Sequence, residues 1–261
     1  MANISKPALN FLFSLGITEI PENFERTNIL GTASPKTIKG EKYGYLTGIV
    51  YLTPADKSGL GNLCAWAGKC KSPCLDTAGR GAMSNVQKGR LRKTSLFFKE
   101  QKSFMINLAL DIKELDNKAK KIGMIPVCRP NGTSDAAFHR ITVGNSGKTL
   151  MELFPSVQFY DYTKSIKKSL DNASGLHTEN YHVTFSRDSK DNEEDCLKAL
   201  QNKANVAVVF RTDKFPNTWN GFPTVDGDDS DLRFLDPKGG YVIALKAKGK
   251  AKKDVSGFVI D

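Results

Sequence analysis

Five short apolar runs, each ending in polar residues, restrict the folds open to this chain more than any other feature. Residues 124–128 (MIPVC) lead into Arg129, Asn131, Gly132 and Asp135. Residues 157–160 (VQFY) lead into Asp161, Tyr162, Thr163 and Lys164, and 182–185 (HVTF) into Ser186, Arg187 and Asp188. Residues 206–210 (VAVVF) lead into Arg211, Thr212 and Asp213, and 241–245 (YVIAL) into Lys246 and Lys248. Helix-like stretches at 147–154, 165–173 and 191–204 lie between them. Strand, polar loop, helix, repeated, is the pattern of an α/β protein with a parallel sheet. Near-continuous apolar strands suit a sheet covered on both faces.

A sixth run, 45–52 (YLTGIVYL), opens the series as a buried strand. Residues 84–121 have helical spacing, with Val86, Leu91, Leu96, Phe97, Phe104, Met105, Leu108 and Ile112 apolar and a break expected near 94–102. A (β/α) barrel, complete or incomplete, is the first architecture expected, and an open doubly wound sheet the second. No G-x-G-x-x-G fingerprint follows the first strand and no P-loop motif occurs, which disfavours the nucleotide-fold versions. Residues 1–44 read as an irregular or partly helical lead-in and 45–261 as one domain. Within it, 211–240 is a Pro-, Gly- and Asp-rich excursion, either a lid or a structured insert. The closing residues GFVID are apolar enough to dock on the core.

In both architectures ligands bind at the carboxyl ends of the strands, where the polar residues cluster. Asp135 and Asp161 are the candidate acid–base or nucleophilic groups, with Lys164 or Arg129 beside them to keep a carboxylate ionised. The alternative is that each aspartate caps the segment that follows it. Arg129, Asn131, Arg187 and Lys246 are candidate substrate or phosphate contacts; for the cations the alternative is an ion pair with the Asp-rich loop. Arg90, Arg92 and Lys93 lie in the basic first part of the 84–121 helix, as a phosphate-contacting surface or a solvated face. His139, His177 and His182 are scattered and read as structural or exposed. The run DGDDSD lacks the glycine and terminal glutamate of an EF-hand and reads as an acidic turn with at most weak divalent binding.

The first strand runs into GNLCAWAGKCKSPCLDTAGR (61–80), which holds three of the five cysteines, Cys64, Cys70 and Cys74. Five residues separate the first pair and three the second. In a reducing compartment such crowding indicates metal ligands or redox chemistry rather than a disulfide framework. Three thiolates can hold zinc if a fourth ligand joins them, for which Cys128 is the candidate, or an iron–sulfur cluster with one iron left open. Without metal the thiols would simply pack as small apolar groups.

The net charge of +10 favours anionic partners, nucleic acid or a nucleotide first among them. No run of eighteen apolar residues exists, so no membrane span is expected. The opening MANISKPALNFLFSLG has no clean small-residue cleavage site and reads as no signal peptide, so the expected compartment is the cytoplasm or a host cytoplasm.

The motifs CAWAGKCKSPCLDTAGRG, GRLRKTSLFF, RPNGTSD, FYDYTK, TFSRD, DLRFLDP and LKAKGKAKKD occur in one order between about residue 48 and residue 261. In this the chain resembles the phage gene-product-eighty-eight-like family, which is functionally uncharacterised. The resemblance implies a phage or prophage origin and no particular chemistry. In layout alone, three cysteines after the first strand are similar to the radical S-adenosylmethionine barrels. That similarity implies an iron–sulfur cluster, with S-adenosylmethionine as a further cofactor. The spacing departs from that pattern, which uses three and then two intervening residues, and no glycine-rich methionine-binding stretch stands at the second strand.

Three functions follow. One is a metal-binding barrel enzyme acting on a nucleotide or nucleic acid, through an iron–sulfur cluster or zinc. Another is a non-catalytic basic nucleic-acid-binding protein with structural zinc or no metal. The third is a base-exchanging transglycosylase using a strand-end aspartate.

Overall fold

The computed structural model describes residues 4–212 and 214–261; Asp213 and the first three residues of the opening stretch lie outside the described residues. The elements in chain order begin with α1 (Lys6–Ser14), β1 (Leu30–Gly31), α2 (Pro35–Glu41) and β2 (Tyr45–Val50). The paired helices α3 (Ser84–Lys99) and α4 (Gln101–Lys121) follow, then β3 (Ile125–Arg129), α5 (Leu150–Leu153) and β4 (Gln158–Thr163). Next come α6 (Ile166–Ala173), β5 (Tyr181–Ser186), α7 (Glu193–Gln201) and β6 (Val206–Phe210). A hairpin of β7 (Thr218–Trp219) and β8 (Phe222–Asp226), then β9 (Val242–Lys246) and β10 (Val259–Ile260), complete the chain.

All ten strands join one sheet, ordered β1-β2-β3-β4-β5-β6-β9-β8-β7, with β10 paired to β6. From β2 to β8 every neighbouring pair is parallel. The sheet is open, with the antiparallel strands β1 and β7 at its edges, so it does not close into a barrel. Its run β2 to β6 follows chain order without the reversal of a doubly wound sheet.

Parallel register assigns each residue to a face, because paired residues point the same way and successive ones alternate. Gly48, Cys128, Phe159, Tyr181 and Val183 share one face with Phe185, Val206, Val208 and Val242. Here the helices pack. Phe104, Leu108 and Ile112 of α4 join Cys128, Phe159 and Val183 in the principal core, and Cys196 and Leu200 of α7 meet Phe185, Val206 and Val208. The other face carries Val127, Arg129, Tyr160, Tyr162, Ser186, Val209 and Leu245.

That second face is covered partly by the acidic excursion. The turn Arg233–Leu235 comes back over the sheet, so that Leu232 joins Val127 and Tyr160 in a small core and Phe234 stacks edge-on against Tyr45 and Tyr160. The 211–240 insert is therefore an edge hairpin followed by a wall built onto the sheet. The lead-in also belongs to the packed body. Leu12, Ile17, Phe24 and Ile29 lie in the principal core, and Asp111 of α4 accepts from the backbone of Ile29 and Leu30 at 2.6 and 2.8 Å while pairing with Arg26. GFVID docks as β10, in register with Val209 and Phe210 of β6. Among the described residues no helix is long and apolar enough to cross a membrane.

Candidate functional site

A cavity of about 530 Å3 opens on the second face at the carboxyl ends of the strands. Arg129, Tyr162, Ser186, Val209 and Leu245 line it from the sheet, and Cys64, Cys70 and Cys74 line it from above. This is where a parallel sheet leaves strand ends uncovered, and its size suits a nucleotide-sized ligand.

The cysteine stretch is fastened at defined points. Ala55 donates its N–H to Cys64 Sγ at 3.3 Å, and Leu63 donates to the Ala55 carbonyl at 3.0 Å, closing residues 55–63 into a loop. Asp135 donates its N–H to the Leu63 carbonyl at 2.7 Å, tying that loop to the turn after β3. Beyond Cys64 the backbone forms three 3-10 turns, Gly68–Lys71, Leu75–Thr77 and Gly79–Ala82. Gly68 has φ +51°, and a Cβ there would lie 1.4 Å from Asp188 Oδ2, so the stretch rests directly on the carboxylate that follows β5. From α3, Arg90 Nη1 and Gln87 Nε2 donate to the Asp76 carbonyl at 2.6 and 2.9 Å, while Lys57 pairs with the Asp76 carboxylate at 2.8 Å.

The three thiols face one space, and Cys70 lies near enough to raise the pKa of both Cys64 and Cys74. Burial is the larger cause in each case, and it pushes Cys74 up to about 12. Among the described residues no three Cys, His, Asp or Glu side chains converge at the spacing that holds a metal ion. The donor chemistry nevertheless fits a soft metal. Three sulfurs line one cavity on a stretch of short turns, and burial disfavours the charged thiolates of Cys64 and Cys74 until a cation offsets it. Cys128 cannot complete that set: it is fully buried on the helical face of β3, across the sheet from the cavity. Cys196 is buried in α7.

The turn after β3 supplies the second wall. Gly132 lies flat on β2, where a Cβ would come within 2.6 Å of Ile49 and 2.7 Å of Tyr51. Asn131 shapes this turn: its side chain donates to Asp161 and the Ala136 carbonyl and accepts from Ser134 and the Ala136 N–H. Asp135 lines the cavity and accepts from Thr163 Oγ1 at 2.9 Å and the Lys164 N–H at 3.0 Å, which also makes it the cap of the β4–α6 turn. Lys164 reaches into the cavity with Nζ 2.9 Å from Ser186 Oγ.

Asp161 does not line the cavity. It follows Tyr160 and precedes Tyr162, both on the cavity face, so it points at the helices instead. There it is fully buried and accepts from Asn131, Tyr181 and Lys168, and burial raises its pKa against the pull of Lys168. Arg187 is also turned away, donating to the Gly257 carbonyl at 2.8 Å and pairing with Glu193. Arg90 is buried beneath the cysteine stretch, and Lys93 donates to the Ile29 carbonyl, so neither forms a phosphate-contacting face; Arg92 is exposed. Arg129 lines the cavity but is already paired with Asp231 at 2.9 Å and lies over the Tyr162 ring.

The acidic run supplies cavity residues that its sequence, as a plain acidic turn, did not announce. Asp231 is held below the usual carboxylate range although burial opposes its charge, because Lys36 and Arg129 flank it, and Tyr160 donates to it at 2.9 Å. Asp228 accepts from the Lys246 N–H and pairs with Lys248. Its neighbour Asp229 is held by Lys42 and Tyr43. The carboxylates thus join the wall to surrounding cations. Lys246 and Lys248 line the cavity beside Lys36 and Lys39 from α2, and among the described residues eight cationic side chains line it against three carboxylates. Tyr162 and Ser186 follow apolar runs in the sequence, but their place in the cavity emerges only once the structure shows which face of the sheet carries the helices. Lys36 and Lys39 left no sequence signal, since they arrive from the lead-in by tertiary packing.

No curated protein and no solved structure matches the chain. A family model, Gene product 88, matches residues 23–261, which takes in the cysteine stretch, every strand of the parallel run and both walls of the cavity. The chain belongs to the Gene product 88 family.

Proposed function

We propose that this protein is a metal-dependent enzyme, in which Cys64, Cys70 and Cys74 hold an iron–sulfur cluster over a cavity that receives a phosphate-bearing nucleotide or nucleic-acid substrate. One observation carries the reading: three thiols and the polar strand ends of a parallel sheet line the same space. The chain-order winding of β2 to β6 supports a (β/α) barrel-like layout left open at one side. Three thiolates leave one iron of a four-iron cluster without a protein ligand, and such a cluster supplies one-electron chemistry when bound.

The residues divide into binding and positioning roles. Lys164 and Lys246 offer cationic contacts to a substrate phosphate from two sides. Asp135 is the carboxylate available in the cavity, and its contact with Leu63 couples it to the placement of Cys64. Arg129 and Asp231 hold the wall, and Asp161 holds the turn that carries Asn131 and Asp135.

A second reading, a nucleic-acid-binding protein with zinc or no metal, is favoured by the net charge of +10 and by the cationic side chains that outnumber the carboxylates on the cavity wall. Anaerobic reconstitution with iron and sulfide separates the two. The enzyme reading expects a brown protein that retains iron and acid-labile sulfide after desalting. A colourless protein that instead binds zinc, or no metal, supports the second reading and ends the first.

A further inference from the structure

Trp66 stands between Cys64 and Cys70, lines the cavity and is 60% exposed. Single exposed apolar side chains are common, and what sets this indole apart is its place on the cavity lining beside the thiols, where its face is open to a ligand. Around it the surface is cationic. Lys57 precedes the cysteine stretch and Lys69 and Lys71 lie in it, paired with Asp76, Asp191 and Asp56, and the turn Gly249–Lys253 brings Lys250, Lys252 and Lys253, all three exposed. That turn packs on Leu75–Thr77, just after Cys74, where Gly249 lies against Ala78. The two lysine-bearing segments therefore flank one mouth.

A cationic rim that tracks phosphates, with an aromatic face on which a base can stack, is the arrangement that binds single-stranded nucleic acid without reading its sequence. Duplex fits less well, because a base held in a paired stack cannot enter a cavity, whereas an unpaired one can. The volume of about 530 Å3 accommodates one nucleotide. We infer that the substrate is single-stranded nucleic acid, its backbone on the rim of Lys57, Lys71, Lys250 and Lys252 and one base stacked on Trp66 at the cavity mouth. This deepens the nucleic-acid reading above and does not depend on which metal the thiols hold.

The chain has two tryptophans, and Trp219 is partly buried against the β6 core. In the W219F variant all indole fluorescence comes from Trp66. Titration with oligothymidylate or oligouridylate about a dozen nucleotides long is expected to quench that fluorescence saturably. Affinity should fall at least about tenfold between about 50 and about 200 mM salt. W66A should weaken single-strand binding about 5- to 150-fold, with W66F recovering most of it. Replacing Lys250, Lys252 and Lys253 by Gln should flatten the salt dependence and leave the quench in place. A blunt duplex of the same length and thymidine monophosphate should bind more weakly.

Equal affinity for duplex and single strand, or W66A binding as well as the parent with an unchanged melting temperature, overturns the proposal. The titration is run on protein as purified and again after iron reconstitution. Single-strand binding without iron retention would sink the cluster and leave this inference standing, and iron retention without single-strand binding would do the reverse.

Discussion

Gly68 is the residue on which the cysteine stretch turns. Its positive φ, and the mere 1.4 Å that would separate a Cβ from Asp188 Oδ2, leave no room for a side chain. G68A should destabilise the protein by about 1–3 kcal/mol through backbone strain alone, with the collision adding to that. G68A/D188A should recover only the collision part, measured by urea denaturation. Full recovery in the double variant would show that the backbone is not strained there. Asp161 tests the opposite kind of assignment. It is buried with Lys168 on the helical face, where Lys168 also reaches Asp135 at 3.4 Å, so D161A leaves that ammonium one carboxylate but removes the acceptor of Tyr181 and of the Asn131 N–H, and should cost about 1–3 kcal/mol. Near-normal stability of D161A would return Asp161 to the candidate reacting groups. Both Asp161 and Arg187 were attractive in the sequence because they follow apolar runs. What decided against them is strand parity: Tyr160, Tyr162 and Ser186 take the cavity face, and their neighbours take the other. Parity can be read from a sequence only once it is known which face carries the helices.

At the scale of elements, the strands legible in the sequence were those with continuous apolar runs: β2, β3, β5, β6 and β9 end within two residues of the runs that announced them, and β4 runs three residues past its own. Helices α3 and α4 divide at Glu100, whose φ of −140° and ψ of 57° interrupt the helix inside the span where a break was expected. The short strands β1, β7 and β10 are two residues long and carry no period, and β8 mixes proline and threonine with its apolar residues. Long-range pairing creates β1 and β10, whereas β7 and β8 pair locally across the Asn220-Gly221 turn, both of whose residues have positive φ. Sheet closure is also long-range, since nothing local tells the edges at β1 and β7 whether to meet. Two arginines fasten the segment that carries β10: Arg187 donates to the Gly257 carbonyl, and Arg211 donates to the Lys252 and Asp254 carbonyls and pairs with Asp261, beside the pairing of Val259 and Ile260 with β6. R187A should loosen the C-terminal segment, seen as faster tryptic cleavage after Lys252 or Lys253 while the remainder stays protected. An unchanged digestion rate would mean that Arg211 and the strand pairing retain it without Arg187.

Across the whole molecule, acid sensitivity is set by imidazoles as well as carboxylates. Burial holds His139 at about 3 and His182 at about 4, and it also lowers His177. These groups stay neutral in the fold where the unfolded chain would bind protons, so stability should fall as pH drops from about 6.5 towards 4. Asp236 works against this over part of the range. Burial raises its pKa to about 6, and its proton uptake in the fold favours the native state as pH falls from about 6 to 4. The net prediction is a decline softened by Asp236 and steepened in D236N, followed by urea midpoints at stepped pH. A decline of equal slope in both proteins would contradict the assignment.

The cavity joins these scales, because residues from the lead-in, the cysteine stretch, the strand ends, the acidic wall and the tail meet there. The most direct measurement is iron and acid-labile sulfide in protein reconstituted anaerobically, beside the C64S/C70S/C74S variant. Binding of about four irons and four sulfides per chain by the parent, abolished in the variant while its fold is retained, is the result expected here. Absence of both from the parent, or equal amounts in the two proteins, would contradict a cluster held by these three sulfurs.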